Sequence, residues 1–259
     1  MKTAIKTVAS AIIALAAFQG AQAQDNYPEP MKMEPAMSEF WVPQPTIVTS
    51  GEPNKNAFIS APSDAIVLFD GKDLSEWQKD NGDAADWKVE KGHFEVVPQS
   101  GGIRTKREFE DFQLHIEWSA PLETEGKEGQ GRGNSGIFMQ GIYELQVLDS
   151  YGSKTYGNGQ AGSIYKQTPP LVNAMRKPGE WNVYDVIYTA PRFKKDGTLH
   201  SQARITVIHN GVLVQNNTII LGDTPYVGFP KYKEHGAGPI SLQDHGDKVK
   251  FRNIWIREL

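Results

Sequence analysis

The densest chemical signal in the chain is Tyr143-Glu144-Leu145-Gln146-Val147-Leu148-Asp149. Successive side chains of an extended strand alternate between faces, so Glu144 and Gln146 point together and Tyr143, Leu145 and Val147 take the apolar side. Asp149 lies five positions after Glu144 and joins the polar face if one bulged residue near Leu148 shifts the phase. Two carboxyls on one concave surface could do acid–base chemistry on sugars. A retaining glycosidase holds them ~5–5.5 Å apart and an inverting one ~6.5–9.5 Å apart. Positions four apart on a strand are ~13 Å apart at Cα, so strand curvature and side-chain reach must close the gap. A solvated sheet face ending in a turn-forming Asp149 reads the same way.

Imidazoles form the second cluster. His209 sits beside Asn210-Gly211, His235 in Lys231-Tyr232-Lys233-Glu234-His235-Gly236, and His245 in Gln243-Asp244-His245-Gly246. None has the i, i+4 spacing of a helical metal pair. Each alone reads as loop polarity, whereas three beside glycine-rich loops suggest a rim. His93, His115 and His200 have no such setting and read as structural or exposed. Tyr143, Tyr165 and Trp181 belong to a large set of aromatics on which sugar rings could stack, while Trp118, Phe251 and Trp255 read as core. The chain has no cysteine, so its chemistry rests on carboxylates, imidazoles, hydroxyls and amides.

Strands must position these groups. Phe112 to Trp118 alternates cleanly, with Leu114, Ile116 and Trp118 opposite Gln113, His115 and Glu117, so one face goes to the core. Further strands are expected at 66–69, 87–90, 93–97, 135–139, 143–148, 183–189, 204–209, 212–216, 240–242 and 249–256. Asn210-Gly211 between two apolar runs is a strong hairpin signal, because both residues tolerate positive φ. No long amphipathic helix is visible. The pattern implies an all-β chain folded as an antiparallel β-sandwich over residues 64–259.

Residues 1–23 read as a cleaved signal peptide: Lys2 and Lys6 precede an apolar run from Val8 to Phe18, and the segment closes on Ala21-Gln22-Ala23. Periplasmic or secreted location follows, and no later stretch reaches the ~20 apolar residues of a membrane span. The net charge of −4 becomes −6 once the two lysines are removed, which argues against nucleic acid as partner. Residues 24–63 hold seven of the sixteen prolines and form an extended lead-in. Phe40, Trp41, Val42, Ile47 and Val48 are too many apolar groups for a wholly solvated tether, so part of it packs on the domain.

Several motifs together resemble the 3-keto-disaccharide hydrolase family. They are Leu68-Phe69-Asp70-Gly71-Lys72-Asp73-Leu74-Ser75-Glu76-Trp77, the Gly133 to Phe138 segment with Asn134, Tyr143 to Asp149, Pro178-Gly179-Glu180-Trp181-Asn182, His209-Asn210-Gly211 and Phe251 to Ile256. The resemblance covers residues 64–259 and implies a concanavalin A-like lectin/glucanase sandwich of jelly-roll type. In the related glucanases the catalytic strand reads Glu-x-Asp-x-(x)-Glu; here that frame holds Glu144, Gln146 and Asp149, so the middle acid is an amide and the last is shortened. The implied reaction acts on a sugar oxidised at C3, whose acidic C2 proton lets a base expel the C1 substituent before water adds back. Glu144 or a loop histidine would be the base, with Asp149 and His245 near the leaving group and Gln146 and Asn134 as donors. His209 and His235 would complete the rim, and Tyr143, Tyr165, Trp181, Asn182 and Gln243 would contact substrate.

A divalent metal ion on carboxylate and imidazole is compatible with these residues, but no spacing demands one. No dinucleotide fingerprint is present, so a separate sugar 3-oxidoreductase would supply the oxidised glycoside. Two other readings use the same fold: a non-catalytic carbohydrate-binding module, and a conventional retaining glycosidase. The carboxylates and histidines favour an enzyme over the first. The missing middle acid weighs against the second.

Overall fold

Period-two alternation resolves into two antiparallel sheets facing each other. The structure is a computed structural model describing residues 32–51, 60–123, 126–152 and 154–259. Apart from Lys32, all lie in one unit, Met33–Leu259. The expected leader falls outside the described residues, as do residues 24–31 and 52–59 of the lead-in.

The large sheet runs Val212–Ile219, Arg204–His209, Asn182–Thr189, Phe112–Ser119, Lys250–Glu258, His93–Glu95 and Lys88–Glu90, and Ile66–Phe69 pairs with Lys250–Glu258 as its eighth strand. The small sheet runs Trp77–Lys79, Ile103–Thr105, Ser241–Leu242, Ser135–Met139 and Tyr143–Val147. Between them lies one core to which both contribute, including Leu114, Ile116, Trp118, Ile137, Leu145, Val147, Tyr184 and Phe251. Burying this apolar area is the main favourable term for the fold. The expected hairpin is present, with Asn210 at φ 53° and Gly211 at φ 81°. Among the described residues no helix is long and apolar enough to cross a membrane.

The polar face of Phe112–Ser119 is buried as well, contrary to the one-sided reading. His115 and Glu117 are 1% and 6% exposed. A bulge at Asn253, φ 45°, shifts the register of Lys250–Glu258. Trp255 thereby leaves the core side and stacks on His115, ring centroids 5.1 Å apart, instead of joining Trp118 inside. His115 Nδ1 sits 2.6 Å from Asp185 Oδ1, while Glu117 accepts from Arg252 Nε at 2.6 Å and Asn253 Nδ2 at 2.8 Å.

Burial lowers the His115 pKa, but hydrogen bonds to Asp185 and Glu117 outweigh it and raise it from 6.5 to about 9. Burial alone would raise Glu117; His115, Asn253 and Arg252 instead bring it down to about 2. The His115 contribution to stability is therefore complete below pH 6.5 and is lost as pH rises through about 9. The Glu117 contribution is complete above pH 4.5 and fades towards about 2. Thermal unfolding across this range is expected to show Tm falling from pH 6.5 to 9, and His115→Gln to flatten that alkaline limb.

The lead-in does pack along the domain. A 3-10 turn, Pro35–Ser38, is followed by Thr46–Ile47, which pairs in parallel with Val172–Asn173. Asn158 Nδ2 donates to Ser38 O at 2.8 Å. The buried Lys166 ammonium donates to Pro35 O at 2.8 Å and pairs with Glu39 at 2.7 Å.

Candidate active site

The outer face of the small sheet carries the pair that alternation placed together. Tyr143, Leu145 and Val147 turn into the core, leaving Glu144 and Gln146 to line a cavity of about 540 Å³. Glu144 is 5% exposed, and its carboxyl has no hydrogen-bond or ion-pair partner among the described residues. Burial alone raises it from 4.5 to about 8. Its main chain is fixed on both sides: its N–H donates to Thr224 Oγ1 at 3.2 Å and its carbonyl accepts from Tyr165 N at 3.1 Å. The result is a carboxyl on a paired strand whose burial pushes its pKa up to about 8.

Around it the lining is aromatic and amide-rich. Gln146 Nε2 donates to Gln130 Oε1 at 3.0 Å, and its buried Oε1 has no partner, leaving an acceptor for a ligand hydroxyl. Gln130 is held by Thr155 Oγ1 and Gly159 O, both at 2.9 Å. The Tyr156 and Tyr165 hydroxyls meet at 3.0 Å, while Asn134, Gln243 and the exposed His245 close the other side. Asp247 ties that wall together by accepting from Asn134 N at 2.9 Å and pairing with Lys127 at 2.5 Å. Phe138, Thr224 and Tyr226 complete the lining. Behind Tyr156 and Tyr226 sits Lys166 Nζ, 4.9 and 5.2 Å from their ring centroids.

A family model described as the 3-keto-alpha-glucoside-1,2-lyase-like domain matches residues 64–257. The chain belongs to this family. It is 26% identical over 240 residues to a 3-keto-disaccharide hydrolase of Bacteroides thetaiotaomicron, covering 75% of this chain and 78% of that one. Among solved structures, one from Parabacteroides distasonis, described as a candidate glycosyl hydrolase, is 60% identical with a TM-score of 0.77 over 86% of this chain and 96% of that chain. A second from the same organism, described alike, is 26% identical with a TM-score of 0.53 over 75% and 94%.

Within the 3-keto-alpha-glucoside-1,2-lyase-like domain, Glu144, Gln146, Asn134, Tyr165, Gln243 and His245 share the cavity. The remaining expected site residues lie elsewhere. Instead of bulging back to the polar face after Val147, Asp149 turns inward, fully buried, 2.7 Å from Arg132 Nε and out of hydrogen-bond alignment with it. Tyr143 faces away from Glu144 because odd positions of its strand turn to the core side, and there its hydroxyl meets Nε2 of the loop residue His235 at 2.7 Å. His209 is fully buried rather than at a rim, packed on Trp118 and Tyr184, with Nε2 3.1 Å from Asn182 Oδ1. Burial, helped by Arg176, lowers its pKa to about 3. Asn182 serves that interior network by accepting from Arg176 N and Asn210 Nδ2. Trp181 lies on the outer face of the large sheet beneath Arg252.

Thr224, Tyr226 and Gln130 carry no signal in the sequence: the first two arrive on a loop and Gln130 on the 3-10 turn Gly129–Gly131, with no periodicity to mark them. Of the lining groups, Glu144 and His245 are of the type that ligates metals. Among the described residues no three His, Asp or Glu side chains gather to hold one.

Gly136 makes room for the domain's central carboxyl. It faces Gln146 across the sheet, and a Cβ there would stand 2.5 Å from Glu144 Oε1 and 2.9 Å from Phe138 Cε2. Gly136→Ala should displace the carboxyl and the ring while the strand persists. The expected loss in kcat is about 10²-fold, the usual consequence of misplacing a reacting group by an ångström, with little change in Tm.

Proposed function

We propose that the chain is an exported hydrolase that cleaves the glycosidic bond of 3-keto-glycosides by elimination and rehydration. The observation that carries this reading is the solitary buried carboxyl of Glu144, raised to about 8 and facing a sugar-sized cavity. Oxidation at C3 makes the C2 proton acidic, and the Glu144 carboxylate removes it. Electrons from the C2–H bond form the C1=C2 double bond, and the C1–O bond breaks towards the leaving group. The leaving oxygen takes a proton, for which the exposed His245 is the candidate donor. Water then adds hydroxyl to C1 and a proton to C2, so the net change is hydrolysis. A group poised near the operating pH suits the removal and return of one proton. In this reading the unpartnered Gln146 Oε1 and the Tyr156 and Tyr165 hydroxyls hold sugar hydroxyls. A separate oxidoreductase would produce the 3-keto substrate.

Double displacement needs two carboxyls on the cavity, and of its lining residues only Glu144 carries one. The deciding experiment incubates the protein with a glucoside and with its 3-keto form, with and without chelator, following leaving-group release and enone absorbance. Cleavage of the keto form alone supports elimination, and its loss with chelator adds a divalent cation. Cleavage of the unoxidised sugar overturns the reading in favour of a conventional glycosidase; binding without turnover moves the protein to the carbohydrate-binding modules.

A further inference from the structure

The outer face of the large sheet holds a second cavity, of about 310 Å³, on the other side of the sandwich from Glu144. Four cations line it: Lys91, Lys248, Lys250 and Arg252. Two carboxylates face them, Glu95, which is 3.6 Å from Lys250 Nζ, and the exposed Glu123. This cationic excess stands on a chain whose net charge is −4.

Arg252 is pre-set to receive an anion. Its Nε donates to the buried Glu117 at 2.6 Å, and its guanidinium lies over the Trp181 ring at 4.0 Å from the centroid. That pairing holds the side chain flat and leaves its two Nη groups without a hydrogen-bond partner among the described residues. A fixed guanidinium edge matches the geometry of an oxyanion. Beside it His93 is 8% exposed with no partner for Nε2, and Lys91 and Lys248 make no ion pair among the described residues. Pro121, Leu122 and Trp181 supply an apolar wall.

We propose that this cavity is a second ligand site that takes a carboxylate-bearing sugar, its oxyanion on the Arg252 edge and its ring against the apolar wall. The site is independent of the chemistry assigned to Glu144.

Calorimetric titration of the full chain with glucuronate, glucose and inorganic sulfate tests it. Glucuronate should bind saturably and more tightly than sulfate, and glucose should give no saturable heat. Lys91→Ala combined with Lys248→Ala should weaken glucuronate about ten-fold, with unchanged turnover of the 3-keto substrate. Arg252→Met should abolish glucuronate binding; the lysine pair keeps the test informative if loss of the Glu117 partner harms folding. No glucuronate binding, or binding unaffected in the lysine variant, overturns the site. Sulfate binding as tightly as glucuronate overturns the sugar assignment and leaves a general anion hole.

Discussion

Glu144→Gln should lower kcat/KM on a 3-keto-glycoside by about 10²–10⁴-fold, the range spanned by one general base, without loss of fold. The wild-type kcat/KM should climb about ten-fold per pH unit below about 8 and then level, since the carboxylate form rises through the pKa of Glu144. Stability should move the other way. A carboxyl at about 8 in the folded chain and 4.5 when exposed binds more protons folded than unfolded, so it costs stability progressively as pH rises between those values. Glutamine removes that cost. The variant's Tm should therefore equal the wild type's at pH 4.5 and exceed it at pH 8. A dead enzyme that is more stable at pH 8 is the signature of a functional carboxyl kept buried at a cost in stability. Retained turnover would remove Glu144 from the chemistry.

Arg132→Met should be the most damaging change to the fold. It leaves Asp149, fully buried, without its counter-charge 2.7 Å away. Removing one member of a buried pair costs about 3–5 kcal/mol, which in a domain of this size lowers Tm by about 6–20 °C. Burial already raises the Asp149 pKa against the pull of Arg132. Acid should therefore relieve part of the defect by protonating the carboxyl. Asp149→Asn should be milder and retain kcat within about ten-fold, because Asp149 touches the cavity only through the Arg132 loop that carries Gln130 and Asn134. Loss of turnover in Asp149→Asn with Tm intact would place Asp149 in the chemistry after all.

What could be read in advance followed local period. Tyr143–Val147 displays Glu144 and Gln146 together because a strand alternates, and that needs no tertiary information. The Asn210-Gly211 hairpin is equally local. Asp149 departs from the alternation because its position depends on where the strand ends, and the chain turns inward after Val147, where Asp149 pairs with Arg132. Three-residue strands such as Trp77–Lys79 and Ile103–Thr105 are too short to carry a period. Tyr226 and Thr224 reach the cavity through closure of a loop some 80 residues from Glu144, which no spacing encodes. The burial of His115 and Glu117 likewise depends on a bulge in a strand at the far end of the chain.

Lys166 ties the N-terminal segment electrostatically to the cavity wall. The family match begins at residue 64, yet the carboxylate that neutralises this buried ammonium is that of Glu39, and the carbonyl that accepts from it is that of Pro35. The matched domain and the set of groups that neutralise Lys166 have different borders. A chain shortened to residues 64–257 would leave the ammonium without its counter-ion directly behind the two tyrosines of the cavity wall. In this chain the lead-in is therefore part of the cavity's electrostatic frame, and Glu39 and Lys166 are retained or lost as one pair.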